Sequence, residues 1–316
     1  MSGEAVESFE CFECFGGRCA VRVADHDGAA AAAAARDARQ VLVEAHHTLS
    51  RFDPDSELSR LNRDPRRDVP ASPLLRHLVA AARVAGLRSG GLVDATLVAE
   101  IEAAGYGESR DFEGTGELPA AGRPAHPGSA SARAGWCRLK VDEQAGTVRR
   151  PPGLRLDPGG IAKGLMADLV GESLAGFERY AVDCCGDLRV GGTAGRPRAI
   201  LVDDPTGAEP LHELRIADGA VATSGITRRA WTDDDGRPAH QILDPASGRP
   251  AFTGIVQATA VAPSGLLAET FAKAALLAGP EGAEERLPYG GVIVEAGGAV
   301  QVVEPLTAVL PEVLAA

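Results

Sequence analysis

Asp157-Pro158-Gly159-Gly160-Ile161-Ala162-Lys163-Gly164 is the segment of this sequence that offers the most chemistry. Extended chain runs out at Leu156, and the spacing of Ile161, Leu165 and Leu169 predicts a helix that starts near Ile161. Two glycines at a helix start let a ligand approach the backbone closely. Free N–H groups and the helix dipole there favour an anion. Lys163, inside the first turn, adds a mobile positive charge, so phosphate is the natural ligand. The spacing is neither that of a Walker loop nor G-x-G-x-x-G. Asp-Pro-Gly-Gly is also simply a good turn, and both readings stand at this level.

Three further segments carry reactive or polar groups. His240-Gln241-Ile242-Leu243-Asp244-Pro245 places a histidine at the start of a short strand that ends in a turn. Its imidazole could serve as a general base near neutral pH, or be an ordinary surface histidine. Ser264 through Lys273 read as a helix capped by Ser264, with Gly279-Pro280 beyond its end. Glu269 and Lys273 are four apart on it, in the order that suits a simple exposed ion pair. Ala222-Thr223-Ser224-Gly225, followed by Arg228, ends a strand in small hydroxyl residues that can edge a ligand or begin a turn.

Helices and strands must hold these groups. Ala38, Leu42, Ala45, Leu49 and Phe52 recur at helical steps and predict a helix over 28–52, ended by Asp53-Pro54. Ser72-Pro73 opens another, to about Leu87, and a third helical stretch follows Asp94-Ala95-Thr96. Helices are also expected at 161–175 and 265–278. Extended chain is expected at 9–23, with a break at Gly16-Gly17, and short strands at 180–184, 198–202, 213–216, 220–223, 240–243 and 254–261. Residues 107–135, rich in Gly, Pro, Ala and Glu, read as a surface excursion. The mixture predicts an α/β (α+β) fold.

The chain has 316 residues, enough to bury a core without metal or disulfide staples. Its formal charge of −12 excludes a generic nucleic-acid binder, which needs a basic footprint. No apolar run reaches the length of a membrane span, so no membrane insertion is expected. MSGEAVESFE lacks a positive n-region and an apolar h-region, which sets the expectation of a cytoplasmic protein. Six cysteines are present; Cys11 and Cys14 form a C-x-x-C with no second pair at zinc spacing, and reduced thiols are the plain reading.

The order of the segments is more specific than any one of them. Arg51-Phe52-Asp53-Pro54-Asp55-Ser56 comes first, then Val93-Asp94-Ala95-Thr96-Leu97, the Asp157–Gly164 segment, Cys185-Gly186-Asp187-Leu188, Ala222-Thr223-Ser224-Gly225 and His240 through Gly248. The helix at 265–278 closes the series. From about residue 15 to 280 this resembles the ApbE family, the FAD:protein FMN transferases. The resemblance implies one domain over 1–316, with room for two subdomains, and a T-fold-like core with a mixed sheet and flanking helices.

It further implies FAD as substrate, Mg²⁺ as cofactor, and transfer of FMN to a Ser or Thr hydroxyl of a target flavoprotein, with release of AMP. A FAD pyrophosphatase and a non-catalytic FAD-binding protein are the alternatives. Residue by residue, the resemblance implies His240 as base and FAD contacts at Asp94, Thr96, Asp157, Lys163, Ser224, Ile242 and Lys273. It implies metal contacts at Gly160, through its carbonyl, and at Glu269. Three departures from the family pattern stand out. Glu269 and Lys273 occupy positions where the family carries Asp and Thr as metal ligands; Glu can still ligate, but an ammonium has no lone pair to give. Asp183-Cys184-Cys185-Gly186-Asp187 replaces Asn-Ala-Gly-Gly-Asp, and Phe15-Gly16-Gly17 replaces Met-Gly-Thr.

Overall fold

A computed structural model describes residues 5–109, 125–207, 209–233 and 235–306. Its frame is one sheet of eight strands: β1 (Val6–Cys14), β2 (Gly17–Asp25), β3 (Arg179–Cys184), β4 (Asp187–Gly191), β5 (Gly219–Gly225), β6 (Ile255–Ala262), β7 (Gly291–Glu295) and β8 (Val300–Val303). The strands lie side by side in chain order. Every neighbouring pair is antiparallel, so the α+β expectation holds while the expected mixed sheet is corrected to an antiparallel one. β1 and β2 are joined by Phe15 and Gly16, both at positive φ (54° and 72°), as a two-residue hairpin turn requires.

β6 is buried at every residue, which its near-continuous apolar run IVQATAVA demands of a strand covered on both faces. Helix α1 (Gly28–Leu49) packs on β1 and β2 through Ala31, Ala35, Ala38, Leu42, Ala45 and Leu49. Phe52, expected on the same stripe, falls beyond the helix end and is part-exposed. Helix α2 (Glu57–Arg63) follows, then α3 (Pro73–Arg88), which starts as expected with Ser72 capping the Leu75 amide and Pro73 in the first turn. The third expected helical stretch is the short α4 (Val98–Ala103).

Two helices matter most for the site. α5 (Ala162–Leu174) packs on β3 and β4, and α6 (Gly265–Ala278) on β5 and β6; the two also pack on each other. They meet backbone to backbone at Gly164 and Gly265. A Cβ on Gly164 would lie 2.3 Å from the Gly265 carbonyl oxygen, and one on Gly265 would lie 2.5 Å from that of Gly164. Both helices therefore start at one place.

Of the excursion expected at 107–135, residues 110–124 lie outside the described residues. Where the chain is described again it is docked: the His126 amide donates to the Phe252 carbonyl and the Gly128 amide to the Leu277 carbonyl. The expected strand 240–243 is broken. Pro238–His240 pairs with Ala230–Thr232, and Leu243–Asp244 forms a separate small ladder with Arg249–Pro250. No helix among the described residues is long and apolar enough to cross a membrane.

Candidate active site

The segment before α5 is locked from both sides. Asn62 exchanges two hydrogen bonds of 2.8 Å with the backbone of Leu156, and the Asp157 amide donates to the Ala95 carbonyl at 2.8 Å. The Asp157 carboxylate accepts the Gly159 amide at 2.7 Å and pairs with Arg51 Nε at 3.0 Å. The Arg51 guanidinium lies over the Phe52 ring, 4.3 Å from its centroid.

Lys163 projects from the first turn of α5 onto the Asp187 carboxylate at the start of β4. Asp187 is 1 % exposed, and burial pushes its carboxyl up to about 6 although Lys163 draws it down. Burial alone would lower the Lys163 ammonium; Asp187 and Glu269 outweigh it and raise it above the ordinary lysine value. From α6, Glu269 accepts the Gly164 amide at 2.9 Å with one oxygen and binds Lys273 Nζ at 2.9 Å with the other. Burial favours its neutral form, but Lys273, Lys163 and the Gly164 amide prevail and hold it below the usual range. The methylenes of Lys273 rest against Gly160: a Cβ there would be 3.4 Å from Lys273 Cε. Arg229 donates to the carbonyls of Phe15 and Gly16 at 3.2 Å, fixing the β1–β2 turn to the site.

Three hollows adjoin here, and Gly159 and Arg229 line all three. The first is mainly apolar, with Leu92, Val93, Ile101, Ile242 and Leu277. The second runs between Tyr106, Phe52 and Phe15. The third is polar, with Thr223, Ser224, Gln241 and Gln257. Lys163 lines the second and third, and Lys273 the first and third. A junction of this kind suits an elongated ligand with an anionic middle and two ring-bearing ends.

The sequence profile of the ApbE family matches residues 15–303. The chain belongs to the ApbE family. It is 28% identical over 258 residues to the FAD:protein FMN transferase of Salmonella typhimurium, covering 78% of this chain and 71% of the relative. To the protein of the same name from Vibrio cholerae it is 30% identical over 253 residues, covering 77% and 72%. Its fold matches the apo flavinyl transferase ApbE of Pseudomonas stutzeri with a TM-score of 0.75, at 24% identity over 99% of this chain and 98% of that one. The ApbE protein of Thermotoga maritima gives 0.74 at 23% identity, over 95% and 97%.

In this ApbE family member, seven of the ten residues singled out from sequence come together on the cavity walls: Asp94, Asp157, Gly160, Lys163, Ser224, Ile242 and Lys273. Three do not. Thr96 hydrogen-bonds to Asp94 and packs on Gly135, where a Cβ would fall 2.0 Å from its hydroxyl. Glu269 is buried behind Lys273. His240 is fully buried with its ring 4.9 Å from that of Phe252, and its Nδ1 accepts the Ile242 amide at 3.3 Å. Gln241 and Ile242 line the first and third hollows, whereas His240 lines none of the three. The base expected at His240 is thus placed behind the wall.

Arg51, Tyr106, Asp187, Arg229 and Gln241 join the site without having been singled out. Arg51, Asp187 and Gln241 stand in segments that the sequence already marks, whereas Tyr106 and Arg229 carry no local signal. All six cysteines are free thiols; Cys19 and Cys185 come within 3.7 Å, and Cys185 edges the polar hollow.

The donor set does not fit the expected magnesium ion. Both Glu269 oxygens are engaged, an ammonium stands where the second ligand is expected, and Lys273 fills the room beside Gly160. No group of three His, Cys, Asp or Glu among the described residues is placed to hold a metal. Gly160 and Glu269, the expected metal contacts, are engaged by Lys273 and the Gly164 amide instead.

Proposed function

We propose that this chain transfers the FMN part of FAD to a Ser or Thr hydroxyl of a protein acceptor and releases AMP. The observation that carries the reading is the junction of Lys163, Lys273 and Arg229 between the hollows. The names of the Salmonella and Vibrio relatives point the same way. The isoalloxazine suits the hollows walled by Tyr106 and by Leu92, Ile101 and Ile242, and the diphosphate suits the cationic junction. The polar hollow beside Ser224 and Gln241 gives the acceptor its approach, so the hydroxyl belongs to an exposed, flexible segment of its protein.

In the step itself the hydroxyl oxygen attacks the phosphorus of the FMN half. The bond to the bridging oxygen breaks, AMP leaves with that oxygen, and one proton is released. A loose phosphoryl-transfer transition state asks chiefly for positioning and for neutralised charge. Lys163, Lys273 and Arg229 supply the charge. Gln241 can orient a hydroxyl but its amide cannot take up a proton near neutrality. The burial of His240 favours a second reading, a protein that binds FAD with little or no transfer.

FAD titration followed by flavin fluorescence, with AMP then measured in the presence and absence of a Ser/Thr peptide from a flavin-carrying protein, separates the two. Transfer predicts AMP only with the acceptor. Binding without AMP would leave the second reading, and AMP without an acceptor would mean hydrolysis.

A further inference from the structure

We infer that the diphosphate of the ligand is held directly by the ammonium groups of Lys163 and Lys273, with Arg229, and that binding needs no divalent cation. This rests on the FAD reading above. Each lysine has its carboxylate behind it and the cavity in front. Asp187 and Glu269 are both 1 % exposed, whereas the two lysine side chains reach the walls at 16 %. An ammonium has three donors. One on each lysine is given to its carboxylate, and the others remain for an anion. Arg229 is held by two neutral carbonyls rather than by a carboxylate, so its charge adds to theirs.

A divalent ion at this place would have to displace Lys273 from Glu269 and from the face of Gly160. It would also sit beside two fixed ammonium groups that repel it. The phosphate oxygens therefore meet lysine as a compact point charge with donors to spare. The pair Glu269–Lys273 is built into the contact between α5 and α6, so the cation is positioned before the ligand arrives.

The test is equilibrium binding of FAD, ADP and inorganic pyrophosphate to the whole chain, in EDTA and in millimolar Mg²⁺. For FAD and ADP the two conditions should agree within about twofold, and Lys273→Met should weaken both by about tenfold or more, with no rescue by Mg²⁺. The double variant Glu269→Gln/Lys273→Met, which leaves no unpaired buried charge, should show the same loss if the single variant does not fold. Lys273→Thr should bind weakly in EDTA and recover with Mg²⁺. Tightening of wild-type binding by about tenfold with Mg²⁺, or a folded Lys273→Met or double variant that binds as wild type, would overturn the inference. ADP and pyrophosphate binding in EDTA without FAD binding would sink the flavin reading and leave the lysine site standing. No binding of any probe in EDTA would overturn the lysine site.

Discussion

Asp168 and Glu269 each cap the helix to which the other belongs. Asp168, on α5, accepts the Gly265 and Leu266 amides at the start of α6, at 2.6 and 3.0 Å. Glu269, on α6, accepts the Gly164 amide in the first turn of α5, at 2.9 Å. Unpaired amides at a helix start are natural partners for a carboxylate. The exchange fixes the two helices at their N-termini, and this sets the distance between Lys163 and Lys273. It also commits Glu269 to structure.

Gly164→Ala tests the crossing. The added methyl would overlap the Gly265 backbone at 2.3 Å, and backbone cannot swing aside as a side chain can. The variant should lose about 2–3 kcal/mol of stability in urea unfolding, at the upper end for overpacked sites, and FAD affinity should fall with it. An unchanged urea midpoint would mean that the helices do not approach this closely.

Glu269→Ala should cost more than Glu269→Gln. The alanine leaves the Gly164 amide and the Lys273 ammonium without their acceptor, and breaking a buried pair this way costs about 3–5 kcal/mol. Glutamine can still accept from Gly164. Thermal unfolding of both variants checks the order, and equal losses would assign the whole effect to lost charge.

Much of this arrangement is legible in the sequence, and the boundary is physical. α3, α5 and α6 carry local punctuation: Ser72-Pro73, the glycines before Ile161, and Ser264 with Gly279-Pro280. β7 and β8 do not. Short buried runs such as GVIVE have no period that separates strand from helix. The Glu269–Lys273 pair is legible from its spacing, though as an exposed pair rather than a buried one; the Lys163–Asp187 pair is not, because it joins two separate elements. Arg51 opens a marked segment, but Arg229, 178 positions on, has no local pattern that ties it to the same site. The break between His240 and Leu243 is not legible either, because residues 240–243 carry the pattern of one strand while their backbone pairs with two different partners.

Asp187 gives a pH signature. Its carboxyl is raised from 3.8 to about 6 by burial, so the folded chain holds that proton more tightly than the unfolded chain. The sign follows from linkage. The stability that this group contributes is full below pH 3.8, falls as pH rises, and is gone above about 6. Wild type should therefore lose stability relative to Asp187→Asn across that window, whatever constant offset the substitution introduces. Urea unfolding of both proteins between pH 4 and pH 7 measures the difference. A parallel pair of curves would mean that Asp187 ionises as an ordinary carboxyl.

Gln241 and His240 invite exchange of their roles. Gln241 lines two of the hollows, and its amide donates weakly to the Gly225 carbonyl at 3.4 Å, beside Ser224. An imidazole at that position would face the incoming hydroxyl and could accept its proton near neutral pH. Gln241→His should raise acceptor-dependent AMP release by about tenfold or more, within the range that acid–base assistance provides. It should also introduce a limb in the pH–rate profile that rises through about pH 6.5, the ordinary histidine value. His240→Phe should lower stability, through loss of the Ile242 contact and the fit against Phe252, while the rate per folded molecule stays within about twofold of wild type because no reacting group is removed. The opposite pattern, a folded His240→Phe that has lost AMP release beside a silent Gln241→Ala, would return the base to His240. It would mean that the wall between them opens during turnover.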